Sequence, residues 1–173
     1  MIDEGLRAKR EAVCFQHMTD ENAHVFDRAI AAFAHASYEI VPTGEIYDGA
    51  ARVHELMREN KTAFPDFHYA VEQAHYADDA VVVEGRFTGT HEGPWRGLPA
   101  TGRKVDFPML VIFRFEGEGM MGERIFFDLL TVLQQLGVAR DPNSIGAKIE
   151  VALGHPLTLG RALVRRLKRP AKR

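Results

Sequence analysis

The chain has 173 residues, 46% of them apolar, which is enough for one globular domain with a sizeable core. A single cysteine, Cys14, excludes a disulfide framework, and the polar N-terminus predicts no secretory signal, so we expect a cytoplasmic protein without a membrane-spanning segment. The net charge of −2 hides an asymmetry, because residues 1–137 carry 13 basic and 22 acidic side chains whereas residues 138–173 carry 9 and 2.

The first third of the chain favours helices. Residues 5–34 have a helical pattern, and we expect a break near Thr19-Asp20, where a new helix could be capped. Histidines in this region do not have the spacing of a metal site on a helix, and we expect surface or capping positions for His17, His24 and His35. After an extended segment, Asp48-Gly49 precedes a third helix with an apolar stripe formed by Val53, Leu56 and Met57.

The rest of the body reads as antiparallel strands, at residues 67–76, 80–90, 104–115 and 120–127. Pro108 lies inside the third of these strands and predicts an edge or a bulge. A G-x-G-x-x-G pattern begins at Gly117, but another strand follows it, so these glycines favour a hairpin turn over a nucleotide site. Helices first and antiparallel strands afterwards predict an α+β fold.

Asp128 lies where the last of these strands joins a helix. The helix predicted from Leu129 to Leu136 ends at Gly137, so aspartate is in a good position to cap it. A carboxylate among apolar neighbours is also costly to bury, which favours a role in acid/base chemistry. Both roles remain open from the residues alone.

Strand alternation places Arg124 and Phe126 on the same face as Asp128. If that face lines a pocket, Arg124 could keep Asp128 ionised or bind a substrate oxygen, and the alternative is a solvated arginine. Glu84 lies inside a neighbouring strand, and a buried pair with Arg124 would be structural more often than catalytic.

Residues 138–173 form a basic extension. In its last part, apolar residues at helical spacing lie opposite arginines, with Leu159, Leu163, Val164 and Leu167 on one side and Arg161, Arg165, Arg166 and Arg169 on the other. We expect this helix to pack on the body with its basic face in solvent. Contact with a membrane surface or a nucleic acid is the less favoured alternative.

Three segments resemble the SnoaL-like branch of the NTF2-like superfamily, which includes polyketide (ester) cyclases. They are Phe64-Pro65-Asp66, GTHEGPWRGLPATGR at 89–103 and ERIFFDLLTVLQQLG at 123–137. The resemblance implies an NTF2-like (cystatin-like) cone, in which N-terminal helices pack on a strongly curved antiparallel sheet around a pocket. It divides the chain into a domain at 1–137 and a helical extension at 138–173, and it implies a homodimer.

The resemblance also implies site residues. In the cyclases an aspartate before the last helix is the acid/base, which corresponds to Asp128, and a threonine–histidine pair corresponds to Thr90 and His91. We therefore expect catalytic roles for Asp128, His91 and Arg124. The expected substrate pocket contains Glu84, Phe126, Thr90, Tyr38 and Trp95.

These residues predict cofactor-independent acid/base chemistry, an intramolecular aldol cyclisation or an isomerisation, on a hydrophobic carbonyl compound. We expect an apolar wall to raise the pKa of the catalytic aspartate. Alternatives are an enzyme resembling limonene-epoxide hydrolase or ketosteroid isomerase, and a non-catalytic binder of a hydrophobic small molecule. No metal-ligand spacing or nucleophile motif is present, so we expect no metal, no cofactor and no nucleic-acid or membrane partner.

Overall fold

The computed structural model describes residues 3–167. Three helices and two short strands precede the four long strands, and three further helices follow them. The helices are α1 (Glu4–Asn22), α2 (Phe26–Ala31), α3 (Ala50–Ala63), α4 (Leu129–Gln135), α5 (Ile145–Gly154) and α6 (Pro156–Leu167). The strands are β1 (Ser37–Ile40), β2 (Glu45–Asp48), β3 (His68–Tyr76), β4 (Ala80–Thr90), β5 (Lys104–Glu116) and β6 (Gly119–Phe127). The predicted α+β class is confirmed.

The six strands form one open sheet in the order β2-β1-β6-β5-β4-β3. Neighbouring strands run antiparallel, except that β1 and β6 are parallel. The last strand in the chain, β6, therefore lies in the interior of the sheet between β1 and β5. The β5–β6 turn contains Gly117, which has a φ of 59°, and it confirms the hairpin reading of the glycine-rich pattern.

The first helix is longer than expected. It continues through Thr19-Asp20 to Asn22, so the predicted break there is wrong. Asp20 does not start a new helix, because its carboxylate pairs with Arg28 and accepts from the side chain of Gln16. The chain turns instead at His24, whose φ is 58°.

One face of the sheet is covered by helices. Residues of α1, including Cys14 and Met18, pack against Val83 and Val111, and α3 contributes Val53 and Met57 to a second buried cluster. The predicted stripe of α3 is therefore confirmed. The opposite face carries half-buried apolar side chains in a row across three strands, at Val82, Leu110, Ile112 and Phe126. We call this row the outer sheet face.

Pro108 lies in β5, which has a strand on either side, but in a part of β5 that pairs on one side alone. The pairing of β5 with β6 stops at Met109, so the stretch from Lys104 to Pro108 has only β4 as a neighbour. Gln135 takes over part of the missing strand, because its side chain accepts from the Asp106 N–H and donates to the Asp106 carbonyl, both at 2.8 Å. The predicted edge position of the proline is confirmed locally.

The extension after Gly137 forms α5 and α6. Several of its apolar side chains are exposed, at Ile145, Ile149, Val151, Leu153 and Leu157. The stripe expected to pack on the body (Leu159, Leu163, Val164 and Leu167) lies outside the described side chains, so its packing stays a prediction. Between residues 3 and 167, none of the helices has the length and apolar character needed to cross a bilayer.

Candidate active site

A cavity of about 100 Å³ lies between the helices and the sheet. Its wall is mainly aromatic and aliphatic and includes five phenylalanines, four of which form a row. Their rings follow one another at centroid distances of 5.8, 5.1 and 5.5 Å, in the order Phe67, Phe87, Phe107 and Phe127. The cross-strand register brings the middle pair together, because Phe87 lies opposite Phe107. This wall suits a flat or apolar ligand.

Glu123 is the buried carboxylate in this wall. It lies in β6 on the same face as Ile125 and Phe127, which also line the cavity, and it is 2% exposed. Its Oε1 lies 2.7 Å from Nε2 of His17, a residue of α1 that is fully buried. A buried carboxylate and imidazole are therefore in direct contact at the inner end of the cavity.

The other ring nitrogen of His17 fixes the tautomer. Nδ1 is 2.9 Å from the carbonyl of Ala29, which can only accept, so Nδ1 carries a hydrogen. When Nε2 is protonated as well, His17 is an imidazolium in contact with the Glu123 carboxylate. Burial raises the pKa of Glu123, whereas for His17 burial lowers the pKa and the adjacent Glu123 carboxylate overcomes that effect, raising it to about 10. The pair consequently takes up one proton and holds it near neutral pH.

Two further oxygens face the same nitrogen. The hydroxyl of Tyr38 is 3.2 Å from Nε2 of His17, and Oε2 of Glu21 is 3.6 Å from it. Burial, with Glu123 nearby, raises the pKa of Tyr38 well above its ordinary value, so the phenol stays protonated and can donate a hydrogen bond. Glu21 lines the cavity and keeps 27% of its side chain exposed, which links the cluster to solvent.

An open groove of about 620 Å³ leads to the cavity. Four residues line both spaces and form the constriction between them: Leu56, Asn60, Trp95 and Arg96. Trp95 sits in a tight turn, where its backbone exchanges hydrogen bonds with Leu98 at 3.0 and 2.8 Å. Arg96 forms an ion pair with Glu45 across the groove. The predicted pocket residue Trp95 therefore lies at the mouth of the cavity.

Asp128 is exposed and does not line this cavity. Its Oδ1 accepts from the Leu130 N–H at 3.0 Å and its Oδ2 from the Thr131 hydroxyl at 2.6 Å, which is the geometry of a helix cap. Those hydrogen bonds, Thr131 foremost, lower the pKa of the Asp128 carboxyl. The expectation of a raised pKa is wrong, because solvent and these two hydrogen-bond donors replace the expected apolar wall.

Arg124 and Phe126 share the face of Asp128, as the alternation predicts, but this is the outer sheet face and lies away from the cavity. Arg124 donates to both oxygens of Glu39, at 2.6 and 3.1 Å, and to neither Asp128 nor Glu84. Glu84 instead lies 2.8 Å from the exposed imidazole of His75. Glu84, Phe126 and Asp128 surround a shallow depression on this side.

Thr90 and His91 hold a loop. Thr90 donates to Asp66 through its hydroxyl at 2.7 Å and through its N–H at 2.6 Å. His91 is buried, packs on Phe64 and accepts at Nδ1 from the Thr101 N–H. Burial lowers the pKa of His91 and favours its neutral form. These contacts secure both ends of the loop that carries Trp95.

The cluster at the inner end was missed at the sequence level, where His17 was expected at the surface. That expectation is wrong, because His17 shares a buried helix face with Cys14 and Met18. A signal was present in β6, since Glu123 alternates with Ile125 and Phe127 and is the charged member of an apolar strand face.

Solved structures with the same fold come from several bacteria. AclR of Streptomyces galilaeus, a candidate hydroxylase, is 22% identical and matches 77% of this chain and 98% of its own with a TM-score of 0.65. A candidate SnoaL-like polyketide cyclase of Jannaschia sp. CCS1 is 20% identical over 82% of this chain and 99% of its own, with a TM-score of 0.67. IdmH of Streptomyces antibioticus, a candidate polyketide cyclase, is 21% identical over 75% of this chain and 99% of its own, with a TM-score of 0.62.

No protein of curated function matches the chain. A family model described as SnoaL-like polyketide cyclase matches residues 13–136, which span α1 to α4 and therefore include the cavity, the His17–Glu123 pair and Asp128. A match over most of the chain, together with the shared fold, confirms the expected NTF2-like architecture. The protein belongs to the SnoaL-like polyketide cyclase family.

Proposed function

We propose that this protein is a cofactor-independent enzyme of the cyclase or isomerase type that acts on a hydrophobic carbonyl compound. The observation that carries the proposal is the buried contact between His17 and Glu123, a carboxylate in the wall of a mainly apolar cavity. Family membership supports a cyclase-type activity, and the aromatic wall supports an apolar substrate.

In the proposed reaction, Glu123 removes a proton from the carbon next to the substrate carbonyl. His17 takes part in the same proton equilibrium, because its Nε2 lies 2.7 Å from the Glu123 oxygen. The negative charge that develops on the carbonyl oxygen is stabilised by a proton donor, for which the buried phenol of Tyr38 and the imidazolium of His17 are the candidates. The resulting enol then attacks a second carbonyl of the same molecule or is protonated at another carbon.

The dimensions of the site favour a substrate that binds with one end in the cavity and the rest in the outer groove. A cavity of about 100 Å³ is smaller than the usual 300–1,000 Å³ of a drug-sized site. The reacting end would therefore enter past Trp95, while the remainder occupies the outer groove beside Arg96. This arrangement also suits substrates whose reacting carbonyl is at one end of a longer molecule.

The alternatives have weaker support. Epoxide hydrolysis needs a second carboxylate positioned around a water, and Glu84, the carboxylate expected in the pocket, lies on the outer side of the sheet beside His75. A binder of a purely hydrophobic molecule would bear the desolvation cost of the buried carboxylate without using its charge. Catalysis by Asp128 would require a substrate that binds in the depression on the outer sheet face.

Two isosteric substitutions separate these possibilities. We expect Glu123→Gln to reduce proton abstraction by about 10²- to 10⁴-fold, because the amide cannot accept the proton. Asp128→Asn should leave the rate unchanged, since asparagine also caps a helix. Deuterium exchange at carbons next to the carbonyl, followed by NMR over a panel of aromatic polyketide-like and steroid-like ketones, measures this step without a known product.

The melting temperature of each variant shows whether it is folded. If Asp128→Asn loses deuterium exchange of the ketone while Glu123→Gln keeps it in full, the reaction takes place at the outer sheet face and not in the cavity. Saturable binding of a ketone without exchange in the wild type would identify a binder and end the catalytic proposal.

A further inference from the structure

We propose that the α5–α6 segment is a membrane-surface anchor that binds anionic lipid headgroups. The inference is independent of the reaction proposed above, because none of the described side chains of α5 and α6 lines the cavity.

The apolar face of α5 is open to solvent. Ile145, Ile149 and Leu153 recur every four residues and therefore lie on one side of the helix. They are 77%, 53% and 78% exposed. Leu157, at the start of α6, is 76% exposed. Four large aliphatic side chains of this segment, three on one side of α5 and one at the start of α6, are therefore exposed to water, which solvates them poorly.

The same segment is strongly basic. Residues 138–173 carry 9 basic and 2 acidic side chains, whereas the preceding body carries an excess of acidic ones. Arg161 and Arg165 are exposed in α6, one helical turn apart, and Lys148 is exposed in α5. In the sequence of α6, leucines at 159, 163 and 167 alternate with these arginines at helical spacing.

An anionic bilayer surface satisfies both features. Its headgroup layer supplies negative charge, and the acyl boundary below accepts aliphatic side chains. Helices of 10 and 12 residues are too short to span a bilayer but suit a position in its surface plane. Residues 138–173 contain no Phe, Tyr or Trp, so base stacking on a single-stranded nucleic acid has no platform there.

The electrostatic part of the attraction sets the lipid requirement. The acidic body is repelled by an anionic surface, so the basic segment must supply the attraction and orient the protein with α5 and α6 towards the lipid. Binding should therefore need anionic lipid and weaken at high salt.

Sedimentation with lipid vesicles tests the proposal on the full-length protein. We expect binding to vesicles of phosphatidylcholine mixed with phosphatidylserine, and little binding to phosphatidylcholine alone or at high salt. The double variant Arg161→Glu, Arg165→Glu should bind at least tenfold more weakly, at about fivefold for each lost basic residue. The matched control Lys104→Glu, Arg114→Glu makes the same charge change on exposed residues of the body and should bind nearly as the wild type does.

A second variant separates lipid insertion from charge alone. Ile149→Ser, Leu153→Ser keeps every charge and should weaken binding about tenfold or more, because two aliphatic side chains no longer enter the bilayer. Equal loss in the body control, no preference for phosphatidylserine, or unchanged binding of the serine variant would overturn the proposal. Tighter binding to a single-stranded oligonucleotide than to vesicles would assign the segment to nucleic acid instead.

Hydrogen exchange without lipid adds an independent readout. We expect fast exchange of the amides in α5 and α6, and slower exchange once phosphatidylserine vesicles are added. Strong protection of both helices in the lipid-free protein would show that the segment is packed on its own body, which would also refute the anchor.

Discussion

At the scale of single residues, the main feature is a proton held inside an apolar core. His17 is surrounded by the rings of Phe33, Tyr38 and Phe113, at centroid distances of 4.9, 6.4 and 5.8 Å. Such a cage would favour the neutral imidazole, yet the contact with Glu123 makes the charged form preferred. Burying this pair costs desolvation free energy, and perturbed titratable groups beside a cavity are a feature of functional sites.

This proton makes stability depend on pH. The pKa of His17 rises from 6.5 to about 10 on folding, so the folded protein binds an extra proton between these values. The stabilisation is complete below pH 6.5 and is lost as pH rises towards 10. The free energy of unfolding should fall there by up to about 1.4 kcal/mol per pH unit. Urea unfolding at a series of pH values measures the slope.

His17→Gln should remove most of that slope, because glutamine keeps a hydrogen-bonding group at the position but does not titrate. His35→Gln is the matched control, since His35 is an exposed histidine paired with Asp48. An unchanged slope in His17→Gln would show that the buried pair does not hold the proton.

At the scale of elements, β6 decides which residues can react. Its two faces alternate, so Glu123, Ile125 and Phe127 face the cavity whereas Arg124 and Phe126 face outwards. The sequence predicts the alternation, the strand and the helix that Asp128 caps. It does not say which face the helices cover, because both faces of β5 and β6 are apolar enough to be buried. The cavity side is set by α1, whose packing depends on contacts far along the chain.

Gly122 is where β1 approaches β6 most closely. Its φ is 155°, and a Cβ there would lie 2.4 Å from the carbonyl oxygen of Ser37. Gly122→Ala should therefore cost about 2 kcal/mol or more and disturb the β1–β6 pairing beside Glu123. Gly117→Ala is a matched control with backbone strain but open space around the new Cβ, and should cost about 1 kcal/mol. Thermal unfolding of both variants checks the difference, and equal losses would contradict the role of the close approach.

At the scale of the whole molecule, the covered and uncovered faces of the sheet suggest how copies assemble. The outer sheet face carries the apolar side chains of Val82, Leu110, Ile112 and Phe126. Ion pairs flank them, among them Arg124–Glu39 and Arg86–Asp106, so the face bears positive and negative charges. A surface with both signs can be self-complementary about a two-fold axis. The family resemblance implies a homodimer, and we expect this face to form its interface.

Ile112→Lys tests the assembly, because it places a charge in the centre of the outer sheet face. We expect it to shift the sedimentation coefficient from dimer to monomer while the circular dichroism spectrum stays native. The matched control Ile46→Lys changes an isoleucine that is 65% exposed in the edge strand β2, and should leave the assembly unchanged. A wild type that sediments as a monomer at high concentration would refute the dimer.

The parallel pairing of β1 with β6 also has a consequence for how the chain folds. Tyr38 lies opposite Glu123 in this pairing, so the polar cluster joins segments from the two ends of the domain. Contacts between such distant segments form slowly, because the entropy of closing a long loop must be overcome first. During synthesis on the ribosome, α1 to α3 and the first five strands emerge before β6, which carries the Glu123 partner of His17. The chemical function would accordingly appear in a late step of folding, after most of the hydrophobic core has formed.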